Sequence, residues 1–355
     1  MSEKRFRVID TGVREGRQNI AFDSALIELH KAGAIPDTIR FLTFTPTALI
    51  GRHQVLGREL RLDYCREHGI GTARRLTGGG AIYMDEGQFG FELVFGRKTL
   101  AIGSLGDLSG ALCTAIAAGL SNLGVEARYR PRNDIEVRGR KLGGTGGFFD
   151  GDSLFFQGTV LVRMDAFRMI SCLNVPPAKL ERHAIESAAS RVVTLSELLP
   201  GTLPSVADIK ENLLVGLAKG LGIDPEWGQI TPEEEALAVR RHDEEIGRDS
   251  FVNGIDPGHD GDVRSASRAT PGGLIRSELR LAAAGIPRIQ SVLITGDFFV
   301  TPPRVILDLE ARLRECPLAA IENTVRAFFA ETRTSMLSVA PEDFSAVIVE
   351  AAMGT

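Results

Sequence analysis

The stretch Arg74-Arg75-Leu76-Thr77-Gly78-Gly79-Gly80-Ala81-Ile82-Tyr83 sets two arginines directly before three consecutive glycines, and a strand-like run directly after them. Three glycines leave the backbone bare, so a ligand can approach the N–H groups closely and positive φ is available. Guanidinium groups beside such a loop can face phosphate or carboxylate oxygens. With a strand following, the loop is expected at a sheet edge. The spacing fits neither a Walker A loop nor the dinucleotide-binding fingerprint. A triple glycine alone would suit a flexible surface hairpin equally well; the arginine pair and a second site downstream favour a ligand loop.

That second site is Arg132-Asn133-Asp134-Ile135-Glu136-Val137-Arg138-Gly139-Arg140-Lys141-Leu142-Gly143-Gly144-Thr145-Gly146-Gly147. It reads as a strand, a tight turn at Gly139, and a lysine in front of a glycine-rich run. The compact ammonium of Lys141 suits neutralising a carboxylate and a phosphate together. Asp134 is a candidate Mg2+ ligand, because Mg2+ binds nucleotides through one or two carboxylates plus phosphates; the bland alternative is an Asp134–Arg132 pair on the surface. Six basic residues lie between Arg128 and Lys141. Such density is usually a solvated face, but beside these glycines it can draw in a nucleotide or an acidic partner.

Outward from these two segments the pattern is α+β. Strands are expected at Arg5–Asp10, at Thr38–Ile50 with a turn at Thr45-Pro46, at Ala81–Phe95 with a break at Asp85-Glu86-Gly87, and at Ala127–Arg130, Ile135–Val137, Gly146–Phe149 and Phe155–Val162. Helices are expected at Asn19–Ala32, Leu62–His68 and Val206–Leu221. The clearest helix is Ser104–Leu123, with Ser104 as cap and Leu105, Leu108, Leu112, Ile116, Leu120 and Leu123 as its buried stripe. Thr231-Pro232-Glu233-Glu234 starts another that runs to about Ile246. These elements describe a largely antiparallel sheet with helices packed on it. Gly254–Pro271, rich in Gly, Asp, Ser and Pro, reads as a linker or mobile loop. The expected division is residues 1–250, a linker over 251–271, and a small α+β unit over 272–355. That unit has strands at Leu274–Leu281 and Arg288–Ile294 and helices at Pro303–Arg314, Ile321–Ala330 and Pro341–Ala352.

Bulk properties narrow the function. A net charge of −5 over 355 residues speaks against a general nucleic-acid role. The cysteines Cys65, Cys113, Cys172 and Cys316 are scattered without a Cys-x-x-Cys pair, so neither a zinc site nor a disulfide framework is expected, and a reducing cytoplasm fits. No apolar run approaches the ~20 residues of a membrane helix, and the first residues lack the apolar stretch of a signal peptide.

Taken together, the segments resemble lipoate–protein ligases of the biotin/lipoate ligase superfamily. The match begins at Ile9-Asp10-Thr11-Gly12 and Asn19-Ile20-Ala21-Phe22-Asp23. It continues through Ile50-Gly51-Arg52-His53-Gln54, Asp63–Ile70, both segments above, Gly158-Thr159-Val160-Leu161 and Ser190–Leu195. Gly272-Gly273-Leu274-Ile275 and Ile294–Phe299 look like the family's accessory domain. The resemblance implies a mixed-sheet catalytic domain that activates lipoate or octanoate with ATP and passes the acyl group to a lysine of a lipoyl-acceptor protein. It implies that Lys141 is catalytic, binding the acyl carboxylate and the α-phosphate. Arg75, Gly78, Gly79, Gly80, Ala81, Ile82, Tyr83, Asn133 and Asp134 would hold ATP or the adenylate, with Mg2+ on Asp134. His53, Gly79, Gly143, Gly144, Gly158 and Thr159 would line the acyl site with Lys141.

The chain also departs from the family pattern. Met84 stands where histidine is common, Gly143-Gly144-Thr145-Gly146 replaces Ser-Gly-Ser-Ala, and Phe156-Gln157 replaces a His-His or Gln-His pair. His53 equally suits a structural role, and His183, beside Arg182 and Lys179, suits a solvated helix face. Cys172 reads as a small buried hydrophobe and Phe298-Phe299 as core of the small unit. Two rivals remain. A cysteine-dependent octanoyl or lipoyl transferase needs a nucleophile that the segment from Arg128 to Leu161 lacks. A non-catalytic lipoyl-carrier-binding protein would have no use for Lys141.

Overall fold

The computed structural model describes residues 4–101, 104–174, 190–255, 262–282 and 286–354. The expected site of His183 with Arg182 and Lys179 lies outside them. In chain order the strands are β1 (Lys4–Arg14), β2 (Thr38–Phe44), β3 (Thr47–Ile50), β4 (Gly71–Arg74), β5 (Ile82–Met84), β6 (Gln88–Gly96), β7 (Arg128–Arg130) and β8 (Asp134–Val137). They continue with β9 (Arg140–Asp150), β10 (Ser153–Leu161), β11 (Ile223–Trp227), β12 (Arg264–Thr270), β13 (Gly273–Leu281), β14 (Ile289–Gly296), β15 (Phe299–Thr301) and β16 (Ser335–Leu337).

Eight strands form one mixed sheet in the order β11-β1-β2-β6-β10-β9-β8-β7. Its first two pairings are parallel and the rest antiparallel, so the sheet is mixed and largely antiparallel, as expected. Period-two alternation separates its faces. Ile39, Phe41, Phe89, Phe91, Leu93 and Phe156 turn to one side and are buried under the Leu105–Ser121 and Val206–Leu221 helices. The first of these helices starts where Ser104 Oγ accepts the Asp107 N–H at 3.0 Å. Burying a side chain such as Phe41 or Leu112 contributes roughly 1.5–3 kcal/mol, so this face carries much of the fold. Toward β1, the other face is covered by the Gly16–Lys31 helix through Phe22, Leu26 and Leu29. Toward β9 and β10 it is left open as a trough.

A small sheet, β4-β3-β5, stands over that trough, and residues 75–81 connect its two outer strands. The residues after Gly272 bury a hydrophobic cluster of their own, with Ile275, Ile294, Phe298, Leu309, Val325 and Phe344. They reach back to the main body at named points. Thr301 Oγ1 accepts the Phe149 N–H at 2.7 Å and donates to the Phe149 carbonyl at 3.0 Å, the Gly296 N–H donates to the His53 carbonyl at 2.9 Å, and Arg58 pairs with Glu278. No helix among the described residues is long and apolar enough to cross a membrane.

Three elements differ from expectation. Arg264–Thr270, placed in a linker by composition, is strand β12, paired along its length with β13. It is a polar sheet edge of the kind that carries charges rather than apolar alternation; Arg264 and Arg268 are held by Ala352 and Glu350 of the last helix. The strand expected at Gly146–Phe149 is β9, which begins six residues earlier at Arg140 and so takes in Lys141 and Gly143–Gly147. Ile223–Trp227, interrupted by Asp224-Pro225-Glu226, pairs as edge strand β11 although its pattern is not strand-like.

Candidate active site

Between the small sheet and the open face of the large one lies a cavity of about 380 Å3, within the usual range for small-molecule sites. Strand register builds its floor. Leu42, Gly90 and Thr159 stand opposite one another across β2, β6 and β10; the next row is Arg40, Glu92, Gln157 and Gly146, ending on β9. Because Gly90 and Gly146 contribute no side chain, the floor is recessed. Apolar walls gather at one end, from Ile20, Leu42, Phe44, Leu49 and Met84.

The roof is the glycine loop. Gly79 has φ +94°, and a Cβ there would sit 2.7 Å from Phe299 Cζ, so both conformation and space require glycine. Gln157 Nε2 donates to Thr77 Oγ1 at 2.7 Å and pins the roof to the floor. Arg75 is buried beside it. Its guanidinium donates to the Gly80 carbonyl at 2.7 Å and to the Leu49 carbonyl at 3.3 Å, with no carboxylate partner among the described residues. Burial lowers its pKa to about 10. A guanidinium held only by carbonyls is a desolvated cation whose charge is left for an anion to meet.

At the opposite end Lys141 enters the cavity from β9. Its backbone is clamped to the following chain, Lys141 N–H to the Arg191 carbonyl and Val193 N–H to the Lys141 carbonyl, both at 2.8 Å. The side chain folds across Gly144, where a Cβ would lie 2.6 Å from Nζ. Nζ reaches Asp134 Oδ1 at 2.8 Å, and Asp134 Oδ2 is held by Arg130 Nη2 at 2.6 Å. Burial works against the Asp134 charge, but Lys141 and Arg130 outweigh it and hold the carboxyl below its usual range. Asn133 braces the hairpin, donating from Nδ2 to the Thr145 carbonyl at 2.5 Å.

The cavity thus gathers Arg75, the residues from Gly78 to Tyr83, Asn133, Asp134, Lys141, Gly143, Gly144, Gly158 and Thr159 on one surface. His53 is not among them. Its ring is stacked on Phe298 with centroids 5.0 Å apart, and Nε2 is buried without a hydrogen-bond partner. Burial, with Arg52 and Arg74 nearby, pushes its pKa to about 3. His53 is therefore a neutral packing residue facing the C-terminal cluster rather than part of the acyl wall. Both Asp134 oxygens are paired with cations, Lys141 and Arg130, so a Mg2+ ion at Asp134 would have to displace one of them. The expected surface pair with Arg132 is absent; the partners are Arg130 and Lys141.

Several contributors were not foreseen. Only Phe298 joins the small core; Phe299 leaves it, lies over Gly79 and Gly146, and lines the cavity with Asp297 and Gly272. Nothing local in the sequence signals that contact. Arg40, fully buried, binds Asp23 at 2.7 Å, Glu92 at 2.9 Å and Asn19 Oδ1 at 2.6 Å. Burial first, then Glu92, raises the Asp23 pKa well above its ordinary value, against the opposing pull of Arg40. A charge inside the strand run Ile39-Arg40-Phe41 is a signal that a sequence reading can use. No cysteine lines the cavity. Cys113 lies beneath the floor with Sγ 3.3 Å from Thr145 Oγ1, and burial raises both its thiol and that of Cys172 to about 12.

Comparison with known proteins follows the same lines. The family model described as the lipoyl protein ligase A/B catalytic domain matches residues 15–218. Lipoate-protein ligase A subunit 1 of Thermoplasma acidophilum is 27% identical over 249 residues, 67% of this chain and 92% of that protein. The octanoyltransferase LipM of Brevibacillus brevis is 26% identical over 260 residues, 66% of this chain and 94% of that protein. The crystal structure of P. falciparum LipL1 in complex with lipoate superposes with a TM-score of 0.74 over 97% of this chain and 99% of that one. At 18% identity that likeness concerns the fold.

Proposed function

The chain belongs to the lipoyl protein ligase A/B family, and from that premise we propose that it is an ATP-dependent lipoate–protein ligase. One observation carries the choice within the family. Three cations, Lys141, Arg75 and Arg132, line the cavity, whereas none of the four cysteines does.

In the proposed reaction the acyl chain lies along the recessed floor with its tail among Ile20, Leu42, Phe44 and Leu49 and its carboxylate at Lys141. The carboxylate oxygen attacks the α-phosphorus of ATP; the bond to pyrophosphate breaks, and an acyl-adenylate forms. Lys141 lowers the repulsion between the two anions and stabilises the charge that grows on the phosphate. Arg75 meets phosphate charge from the roof. The glycine loop and Phe299 keep water from the mixed anhydride. The amine of an acceptor lysine then attacks the acyl carbonyl, AMP leaves, and the amine loses a proton. The acceptor would be a lipoyl domain, and octanoate is an alternative acid.

The competing reading is a cysteine-dependent acyl transfer, since the related LipM is an octanoyltransferase. A thiol raised to about 12 is almost wholly protonated near neutral pH and is a poor nucleophile. The test is ATP- and lipoate-dependent pyrophosphate release, followed by the mass gain of an acceptor domain. In Lys141→Ala, release should fall at least ~10²-fold in a folded protein. An acyl-thioester trapped on the enzyme without pyrophosphate release would establish the transferase instead.

A further inference from the structure

We infer that Asp134 serves this site as the clamp of the Lys141 ammonium, with Arg130 as the residue that orients the clamp; this rests on the ligase reading. An ammonium carries three N–H donors on a rotor about the Cε–Nζ bond. The proposed adenylation uses two of them, one for the acyl carboxylate and one for the α-phosphate. Free rotation would leave those two donors unaimed. Asp134 Oδ1, 2.8 Å from Nζ, takes the third. One donor fixed on the protein fixes the direction of the other two.

The rest of the geometry supports the same arrangement. The strands place Asp134 opposite Gly144 in register, and the bare Gly144 lets the lysine chain lie across β9 to reach it. Arg130 Nη2 takes Oδ2 at 2.6 Å, and Arg130 is also tied to Glu136 at 3.3 Å. The Asp134 carboxylate therefore has one oxygen for each cation and cannot turn away from Lys141. Asp134 and Arg130 are positioning residues: they act through Lys141.

Two consequences separate this from a metal-binding or merely structural Asp134. Removing Asp134 takes an anion from beside the acid's binding place, so lipoate binds Asp134→Ala at least as tightly as wild type. Turnover nonetheless falls, by about 10- to 100-fold for a misaimed group. The experiment measures lipoate affinity by calorimetry without ATP or metal, and pyrophosphate release over a range of Mg2+, for Asp134→Ala, the isosteric Asp134→Asn, Arg130→Ala and the Arg130→Ala/Asp134→Ala pair. A third readout, independent of activity, is the 15N–1H signal of the Lys141 ammonium, seen when a fixed hydrogen bond slows its exchange with water and assigned by its loss in Lys141→Arg. The expected results are unchanged or tighter binding, lower kcat at every Mg2+ level, a double variant no slower than Asp134→Ala, and loss of the ammonium signal in every Asp134 variant. Recovery of rate at high Mg2+, additive losses in the double variant, or no ammonium signal in wild type would overturn the clamp. A wild type that shows the signal but releases no pyrophosphate would instead sink the ligase reading and leave the clamp standing.

Discussion

Gly144 and Gly143 are neighbours on β9, yet the structure assigns opposite outcomes to the same substitution. In Gly144→Ala the new methyl presses on the tip of Lys141, 2.6 Å from Nζ and 2.7 Å from Cε, and touches Asp134 Oδ1 at an ordinary 3.7 Å. Reaching ordinary contact at 3.4 Å requires the tip to yield by about 0.8 Å, since 3.4 − 2.6 = 0.8. A flexible side chain does that cheaply. The half-exposed Lys141–Asp134 pair contributes at most ~1 kcal/mol, and alanine recovers roughly 0.5–1 kcal/mol of glycine's backbone entropy. The folded protein should remain within ~1 kcal/mol of wild type. Catalysis should not survive as well, because a misplacement near 1 Å at a reacting group costs about 10²-fold. In Gly143→Ala the methyl instead meets the Thr159 carbonyl oxygen of the adjacent strand at 2.3 Å. Backbone cannot step aside, so the strands must part, at ~1–3 kcal/mol or more. The assay is denaturant unfolding beside lipoate-dependent pyrophosphate release, with kcat and KM resolved. We expect Gly144→Ala to unfold like wild type and turn over about 30- to 100-fold more slowly, and Gly143→Ala to lose stability first. A well-folded Gly144→Ala with a rate within threefold of wild type, an arbitrary but practical threshold of roughly 0.7 kcal/mol, would refute the link between the ammonium's position and the rate.

Three further outcomes follow from the same structure. The His53 pKa is depressed from 6.5 to about 3 in the fold, so the unfolded chain takes up that proton first; stability is lost as pH falls through this window, by up to about 5 kcal/mol. His53→Phe, which keeps a ring against Phe298, should flatten the pH dependence of unfolding between those values, and an unchanged slope would remove His53 as its source. Arg75→Gln should abolish the rise in melting temperature that ATP gives the wild type, because the buried guanidinium is the roof's charge for an anion; an undiminished shift would show that ATP does not meet Arg75. Finally, Cys113→Ala and Cys172→Ser should each retain pyrophosphate release within about tenfold, whereas a loss of about 10² or more with a trapped thioester on the wild type would point to the transferase.

Local rules made much of this fold legible. Ser104 caps its helix, Thr231-Pro232 starts another with a reciprocal box, and the turn between β2 and β3 lies where Thr45-Pro46 puts it. The two glycine segments were legible for the same reason, since bare backbone beside cations has few uses. What was missed depends on partners distant in sequence. β12 is a strand because β13 lies beside it, not because its own pattern alternates. Phe299 lies over Gly79 because the C-terminal cluster docks there, and His53 turns from the cavity because Phe298 offers its ring a face. The pairing of the two Asp134 oxygens with Lys141 and Arg130 likewise depends on strand register, which the sequence alone does not give.

The departures from the family pattern acquire physical meaning by the same route. Phe156 and Gln157 are adjacent on β10, so they face opposite sides of the sheet. Phe156 is buried in the main core, while Gln157 faces the cavity and ties the roof to the floor through Thr77. Only the second belongs to the site. Met84, buried in the apolar wall at the end of β5, replaces a polar ring with a flexible thioether that can adapt to an apolar tail. Thr145 turns its hydroxyl to the Asn133 carbonyl at 3.0 Å and so maintains the hairpin that presents Asp134. None of the three removes a positive charge from the cavity. They adjust the floor, the tail wall and the brace, while Lys141 and Arg75 both remain in the cavity lining. Altered acyl selectivity is therefore the effect to expect from these positions, rather than altered activation chemistry.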